Sequence, residues 1–207
     1  YLERLSPTKK FSSQLLEGLK KIAYFNEKKP LRAGITTQLV VGAAGETDKE
    51  ILNFSFKLYE NYKLWRIYYS AFMPILQTPL EELPPCPLMR EYRLYQADFL
   101  LRGYNFSPEE IPFEKDGNLS LKYDPKLAWA LKNPHRFPVE INKAEFDELI
   151  RVPGIGKISA KRIIETRKIH RFTNLNELKE TGAVAGAYTH LEPTRPLYSA
   201  YAVFCLK

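Results

Sequence analysis

Cysteine is scarce in this 207-residue chain: Cys86 and Cys205 are the only two, and they lie far apart. That spacing excludes a disulfide framework and any cysteine-based metal-ligand pattern, and it fits a reducing, cytoplasmic compartment. Histidine is hardly commoner, and His135, His170 and His190 show neither ligand spacing nor a paired nucleophile. No metal site is expected within the chain, and no catalytic residue is assigned. The acidic pair Glu81-Glu82 sits in a proline-rich stretch and makes no acid/base constellation. Long apolar runs are also missing. The longest, residues 38–44, is strand-sized, well short of the roughly 18 residues a membrane span needs, so no membrane association is expected. No internal repeat or low-complexity tract is evident.

What is present is a globular composition, 44% hydrophobic and 27% charged. It suffices for one substantial domain or two small ones with real cores and excludes intrinsic disorder. Thirty-one Lys and Arg against 24 Asp and Glu leave a net charge of +7, which suits a polyanionic partner. The chain starts at Tyr1 rather than Met, so further residues are expected upstream.

In the first half, Phe11, Leu15, Leu19, Ile22 and Ala23 recur at helical spacing and predict an amphipathic helix running into the polar stretch 26–30. The run Thr36-Thr37-Gln38-Leu39-Val40-Val41 reads as a buried strand ending in the turn Gly42-Ala43-Ala44-Gly45. Thr47 and Glu50 form a capping box for a helix striped by Ile51, Phe54, Ser55, Leu58 and Tyr62. A second strand follows over 65–72, in which Tyr68 and Tyr69 must point to opposite faces. Helix, strand, helix, strand is the order of parallel α/β units. A proline-rich connection, 79–87, then leads to a helix marked by Leu88, Tyr92, Tyr95 and Phe99 and ending near Gly103. Residues 104–138 are short pieces: a turn at Ser107-Pro108, a hairpin at Asp116-Gly117, and a helix opened by Asp124-Pro125 and stopped before Pro134.

The sharpest signal is Leu149-Ile150-Arg151-Val152-Pro153-Gly154-Ile155-Gly156-Lys157-Ile158-Ser159-Ala160-Lys161-Arg162-Ile163-Ile164. Asn142 is expected to cap a helix holding Phe146, Leu149 and Ile150, and Pro-Gly-Ile-Gly breaks it and starts a second helix. Without Cβ atoms at Gly154 and Gly156, the N–H groups of Gly154, Ile155 and Gly156 can approach an anion closely at the positive end of that helix. Arg151, Lys157, Lys161, Arg162, Arg167, Lys168 and Arg171 surround the turn, opposed within that span only by Glu165. Contacts of this kind go to backbone phosphates rather than base edges.

This segment resembles the helix-hairpin-helix family, and residues 139–172 are similar to the competence-protein type of DNA-binding domain. The resemblance implies that Gly154, Gly156, Lys157 and Ser159 hold one DNA strand by its phosphates. A weaker second hairpin is expected over 178–187, where Thr181-Gly182-Ala183-Val184 replaces Pro-Gly-Ile-Gly.

The first half, through Thr36–Thr47 and the run Pro87–Leu100, resembles the C-terminal part of the radical S-adenosylmethionine (radical SAM) barrel, in the group assigned to DNA modification or repair. The resemblance implies S-adenosylmethionine and a 4Fe–4S cluster as cofactors, with Gly42 and the strand positions Tyr69, Ser70 and Ala71 lining the cofactor site. It also implies a uracil-DNA-glycosylase-like partner. The cluster needs three thiolates in a Cys-x-x-x-Cys-x-x-Cys loop, which this chain lacks, so its ligands are expected upstream.

The expected fold class is therefore α/β, the distal part of a partial parallel β/α barrel (residues 1–103), then a linker packed on it (104–138) and a small all-α helix-hairpin-helix domain (139–207). The expected function is that of the C-terminal portion of a radical SAM enzyme held on DNA without sequence preference. The alternative is a non-enzymatic DNA-binding or scaffold protein whose α/β part is a docking domain. An upstream cysteine triad separates the two.

Overall fold

The computed structural model describes residues 2–6, 8–183 and 204–205. By its internal contacts the chain divides into two compact units, Tyr1–Leu101 with Phe113–Lys122, and Arg102–Pro112 with Tyr123–Lys207.

In the first unit a short helix α1 (Leu2–Leu5) precedes a π-helical turn (Phe11–Leu16) that continues as α2 (Glu17–Lys28). The helix ends at Lys28, within the polar stretch it was expected to run into, and Leu31 N–H bonds Asn26 Oδ1 just beyond. Its predicted apolar face is not buried: Phe11, Leu15 and Ile22 are all more than 40% exposed. Strand β1 (Thr36–Val41) and strand β2 (Arg66–Ala71) pair in parallel, Thr36 opposite Arg66 and Val41 opposite Ala71, joined through α3 (Asp48–Tyr62). The predicted capping box is there. Thr47 Oγ1 accepts the Glu50 N–H at 3.2 Å and the Glu50 carboxylate accepts the Thr47 N–H at 2.8 Å, satisfying two donors that the helix itself leaves open. Lys63, left-handed at φ 51°, ends the helix.

Among the described residues this parallel sheet has two strands, and no barrel is seen. β1 departs from the buried strand expected: only Val41 is fully covered, and Val40 is 45% exposed. In β2 the alternation is clean, with Ile67, Tyr69 and Ala71 inside and Arg66 and Tyr68 outside.

Helix α4 (Leu88–Gly103) follows the proline-rich connection. Of the residues that mark it, Leu88, Tyr92 and Phe99 are exposed and Tyr95 is half-buried, packed edge-on to Tyr69, while Arg93, Leu94, Ala97, Asp98, Leu100 and Leu101 are buried. Polar anchors select that face. Asp98 accepts the hydroxyls of Tyr59 at 2.7 Å and Tyr69 at 3.0 Å, and Arg93 donates to the Leu121 carbonyl at 3.1 Å. Arg90 donates through Nε to buried Asp48 at 2.7 Å and also to the Glu46 carbonyl at 2.6 Å. The second Asp48 oxygen takes the Leu119 N–H at 2.9 Å, so one carboxylate holds α3, α4 and the 113–119 hairpin together. That hairpin turns at Gly117, whose φ is 81°, as Asp-Gly predicts.

The second unit begins with a 3-10 turn (Pro108–Glu110) capped by Ser107 and continues through α5 (Pro125–Lys132), which is capped by Asp124. Trp129 packs edge-on to Phe106 and Phe137. After the two-residue strand β3 (Val139–Glu140) come α6 (Phe146–Arg151), α7 (Lys157–Ile169) and α8 (Leu175–Glu180). Their core is Ile141, Leu149, Ile150, Val152, Ile155, Ala160, Ile163, Phe172 and Leu178. Two expectations are corrected here. The region is not all helical, since β3 pairs in parallel with β4 (Phe204–Cys205). Asn142 does not cap α6: Glu145 does, in a box with Glu148. Four residues before Phe146, Asn142 is too far upstream, and its amide instead bonds the Phe172 N–H and carbonyl at 2.9 and 3.1 Å.

Candidate nucleic-acid interface

The hairpin between α6 and α7 is a tight turn over Val152–Ile155, closed by Ile155 N–H donating to the Val152 carbonyl at 3.1 Å. Pro153 stands at its second position and Gly154, at φ 85°, at its third, the residue types a type II turn requires. Ile155 is buried and anchors the turn from below. Its N–H is used within the turn, so of the predicted cradle the donors of Gly154 and Gly156 remain to face a ligand.

Gly156 is the N-cap of α7 and provides no side-chain cap. The first-turn N–H groups of a helix have no intrahelical partner and carry its positive end. Gly156 itself is extended, φ −89° and ψ 172°, and a Cβ there would meet its nearest neighbour, the Tyr104 hydroxyl, at an ordinary 3.6 Å. Folding therefore does not demand glycine at 156, whereas close approach of a phosphate does.

The basic residues sort into two groups. Lys157, Lys161, Lys168 and Arg171 are exposed, as a phosphate-facing rim requires. Arg151 is drawn inward. It pairs with both Glu110 oxygens at 3.1 Å and lies 4.8 Å from the Phe106 ring centroid. Arg167 donates to the Ile141 and Ala144 carbonyls at 3.0 and 2.7 Å. Arg162 is exposed and reaches the Thr181 carbonyl at 3.4 Å. Ser159 is buried, and its hydroxyl donates to the Gly182 carbonyl at 2.8 Å, so it points toward α8. Gly182, φ 80°, follows α8 at the start of the weaker hairpin; residues 184–187 of that hairpin lie outside the described residues.

One contributor went unread in the sequence. Lys126 of α5 donates to the Ile155 carbonyl at 2.6 Å, with its ammonium 4.8 Å from the Tyr104 ring centroid. Burial pushes its pKa down to about 7, against a smaller upward pull from Asp124. Unfolded, the same lysine holds its proton up to about pH 10.5. Between these values the unfolded chain binds more protons, so stability rises with pH from about 7 to about 10.5 and is lost as pH falls back through that window. Thermal melts across it should show this slope in the wild type and a shallower one in Lys126→Met. Equal slopes would remove the lysine from the account.

The positions assigned to a cofactor lie in the first unit. The Glu46 carboxylate accepts the N–H groups of Gly42 and, at 3.0 Å, of Ala44, so the turn after β1 is filled by its own side chain. Gly42 has φ 91°, and a Cβ there would sit 2.7 Å from Cys86 Cβ and 2.8 Å from its Sγ. Cys86 is a free, buried thiol whose pKa burial pushes up. Along β2, the Tyr69 N–H and carbonyl both bond Tyr95 Oη at 3.0 Å, and the Ala71 N–H bonds Glu91 at 2.7 Å. Ser70, between them, is half-buried. Gly42→Ala should cost about 1–3 kcal/mol through backbone strain and the clash with Cys86. A urea midpoint that does not move would show the turn to be pliable.

Among the described residues no group of His, Cys, Asp and Glu could hold a metal ion, and no helix is long and apolar enough to cross a membrane. The geometry of α6, the glycine turn and α7 is that of two short helices joined by a tight hairpin. The family model described as the helix-hairpin-helix motif matches residues 136–185, so this segment carries that motif, which is consistent with DNA binding. Comparison with curated proteins and with solved structures gave no match.

Proposed function

We propose that this chain binds DNA through the backbone phosphates, with the 154–157 turn cradling one phosphate and Lys157, Lys161, Arg162, Lys168 and Arg171 flanking it. The observation that carries the reading is the uncapped start of α7, where the Gly154 and Gly156 donors sit beside exposed lysines and no side-chain carboxylate caps the helix. Phosphate recognition of this kind carries no sequence information, and each neutralised phosphate releases counterions. Anisotropy titrations on duplexes of unrelated sequence should give similar affinities that fall linearly on a log–log plot against salt. Affinity that is strongly sequence-dependent or insensitive to salt would overturn it.

The finer reading extends this to the first unit: the distal part of a radical SAM barrel acting in DNA modification or repair, beside a glycosylase-like partner. What supports it is the likeness of residues 36–47 and 87–100 and the parallel β1–α3–β2 unit. S-adenosylmethionine would supply radical chemistry through a cluster held by cysteines outside this chain. The positions named for the cofactor do not fit it as they stand. The donors of Gly42, Tyr69 and Ala71 are taken up internally, and Cys86 covers Gly42.

A further inference from the structure

We propose that Lys126 is a positioning residue for the hairpin, holding the Ile155–Gly156 peptide so that the Gly156 N–H is presented to a nucleic-acid phosphate. The inference rests on the DNA-binding reading and adds to it a residue outside the motif.

The geometry is that of a single amide. Ile155 C=O and Gly156 N–H belong to the same planar trans peptide, so the two groups point in opposite directions. Lys126 Nζ sits on the oxygen at 2.6 Å. The nitrogen, at the N-cap of α7, is on the opposite side, where the phosphate would lie. A cation on the carbonyl does two things. It fixes the rotation of a peptide that no side chain of α7 caps, and it polarises the amide, which strengthens the hydrogen bond its N–H donates. Because the ammonium is on the far side of the peptide, it reaches the anion through that amide and makes no direct phosphate contact.

The surroundings keep the lysine where it is. The Tyr104 ring lies 4.8 Å from the Lys126 ammonium and 5.9 Å from that of Lys157. Two titratable groups face Lys126: Asp124 from the start of its own helix and Tyr104 from the 102–112 segment. Asp124 favours the charged form. With an apparent pKa of about 7, the lysine changes charge where a bound phosphate can influence it. By linkage, the phosphate favours the protonated lysine, and the protonated lysine favours the phosphate by the same factor.

The test uses the full chain and a short mixed-sequence duplex in anisotropy titrations on either side of pH 7. Wild-type affinity should fall about fivefold as Lys126 loses its proton, a modest coupling between two sites. Lys126→Met should bind about fivefold more weakly than wild type below pH 7 and lack that part of the pH dependence. Its salt slope should be unchanged, because no phosphate contact is lost. Lys126→Arg, which stays charged, should hold the tighter affinity on both sides. In DNA-free wild-type protein the Gly156 amide resonance should titrate with a midpoint near 7 and stand still in Lys126→Met, a readout that does not depend on DNA. If wild type binds DNA and Lys126→Met matches it in affinity and pH profile, the proposal fails alone. An immobile Gly156 resonance in wild type overturns it as well. If wild type binds no duplex, the DNA reading falls and takes the proposal with it.

Discussion

Asp48→Ala should destabilise the first unit by about 3–5 kcal/mol, because breaking a buried ion pair leaves the surviving charge without its partner. Asp48 is fully buried, and the facing Arg90 side chain is only 17% exposed. The same substitution strips the Leu119 N–H of its acceptor, loosening the 113–119 hairpin, which stays tied to α3 by the Lys49 N–H on the Gly117 carbonyl. Urea denaturation followed by far-UV circular dichroism reads the loss. Asp48→Asn, which keeps the shape and part of the hydrogen bonding, should lose less. The paired change Asp48→Leu with Arg90→Met should recover part of the stability, since an apolar pair carries no desolvation penalty. A loss below about 1 kcal/mol for Asp48→Ala would mean that water compensates Arg90.

Alanine at both Lys157 and Lys161 should reduce the salt slope of DNA binding by about 2 and weaken binding uniformly across sequences. Both side chains are exposed, so the fold should survive and the melting temperature should hardly move. Arg151→Ala is the informative contrast. Arg151 pairs with Glu110 and stacks near Phe106 and Trp129, so its loss should lower stability and leave the salt slope where it was. Should the lysine pair leave the slope unchanged, the phosphate path runs elsewhere on the surface.

Local signals were the legible ones. Thr47–Glu50, Asp116-Gly117, Asp124-Pro125 and Pro153-Gly154 act over two to four residues, and each turned or capped the chain where the sequence placed it. The bounds of β1 and α4 could be read for the same reason. What the sequence hid depends on distant partners. The buried face of α4 is set by Asp98 meeting two tyrosines and by Arg93 meeting the 121 carbonyl, and hydropathy counts neither residue as inward. Asn142 left the cap position for Phe172, thirty residues on. In the candidate interface the glycine turn was plain. The sorting of its arginines was not, because Arg151 and Arg167 look like Lys157 and Lys161 until their acceptors are seen. Lys126 is 29 residues from its acceptor and lies in a helix with no basic cluster to draw attention to it.

The hydroxyl and carboxylate bonds along β2 bear on how this sheet behaves toward other chains. The Ile67 and Tyr69 N–H groups and the Tyr69 carbonyl end on tyrosine hydroxyls, and the Ala71 N–H ends on Glu91. An unpaired edge normally templates the next strand and is where misassembly starts. Here side chains insulate that edge, so a strand arriving from a neighbouring molecule meets no vacant amides at Ile67, Tyr69 or Ala71. Removing the insulation with Tyr95→Phe would open both backbone groups of Tyr69 at once and convert a guarded border into an adhesive one.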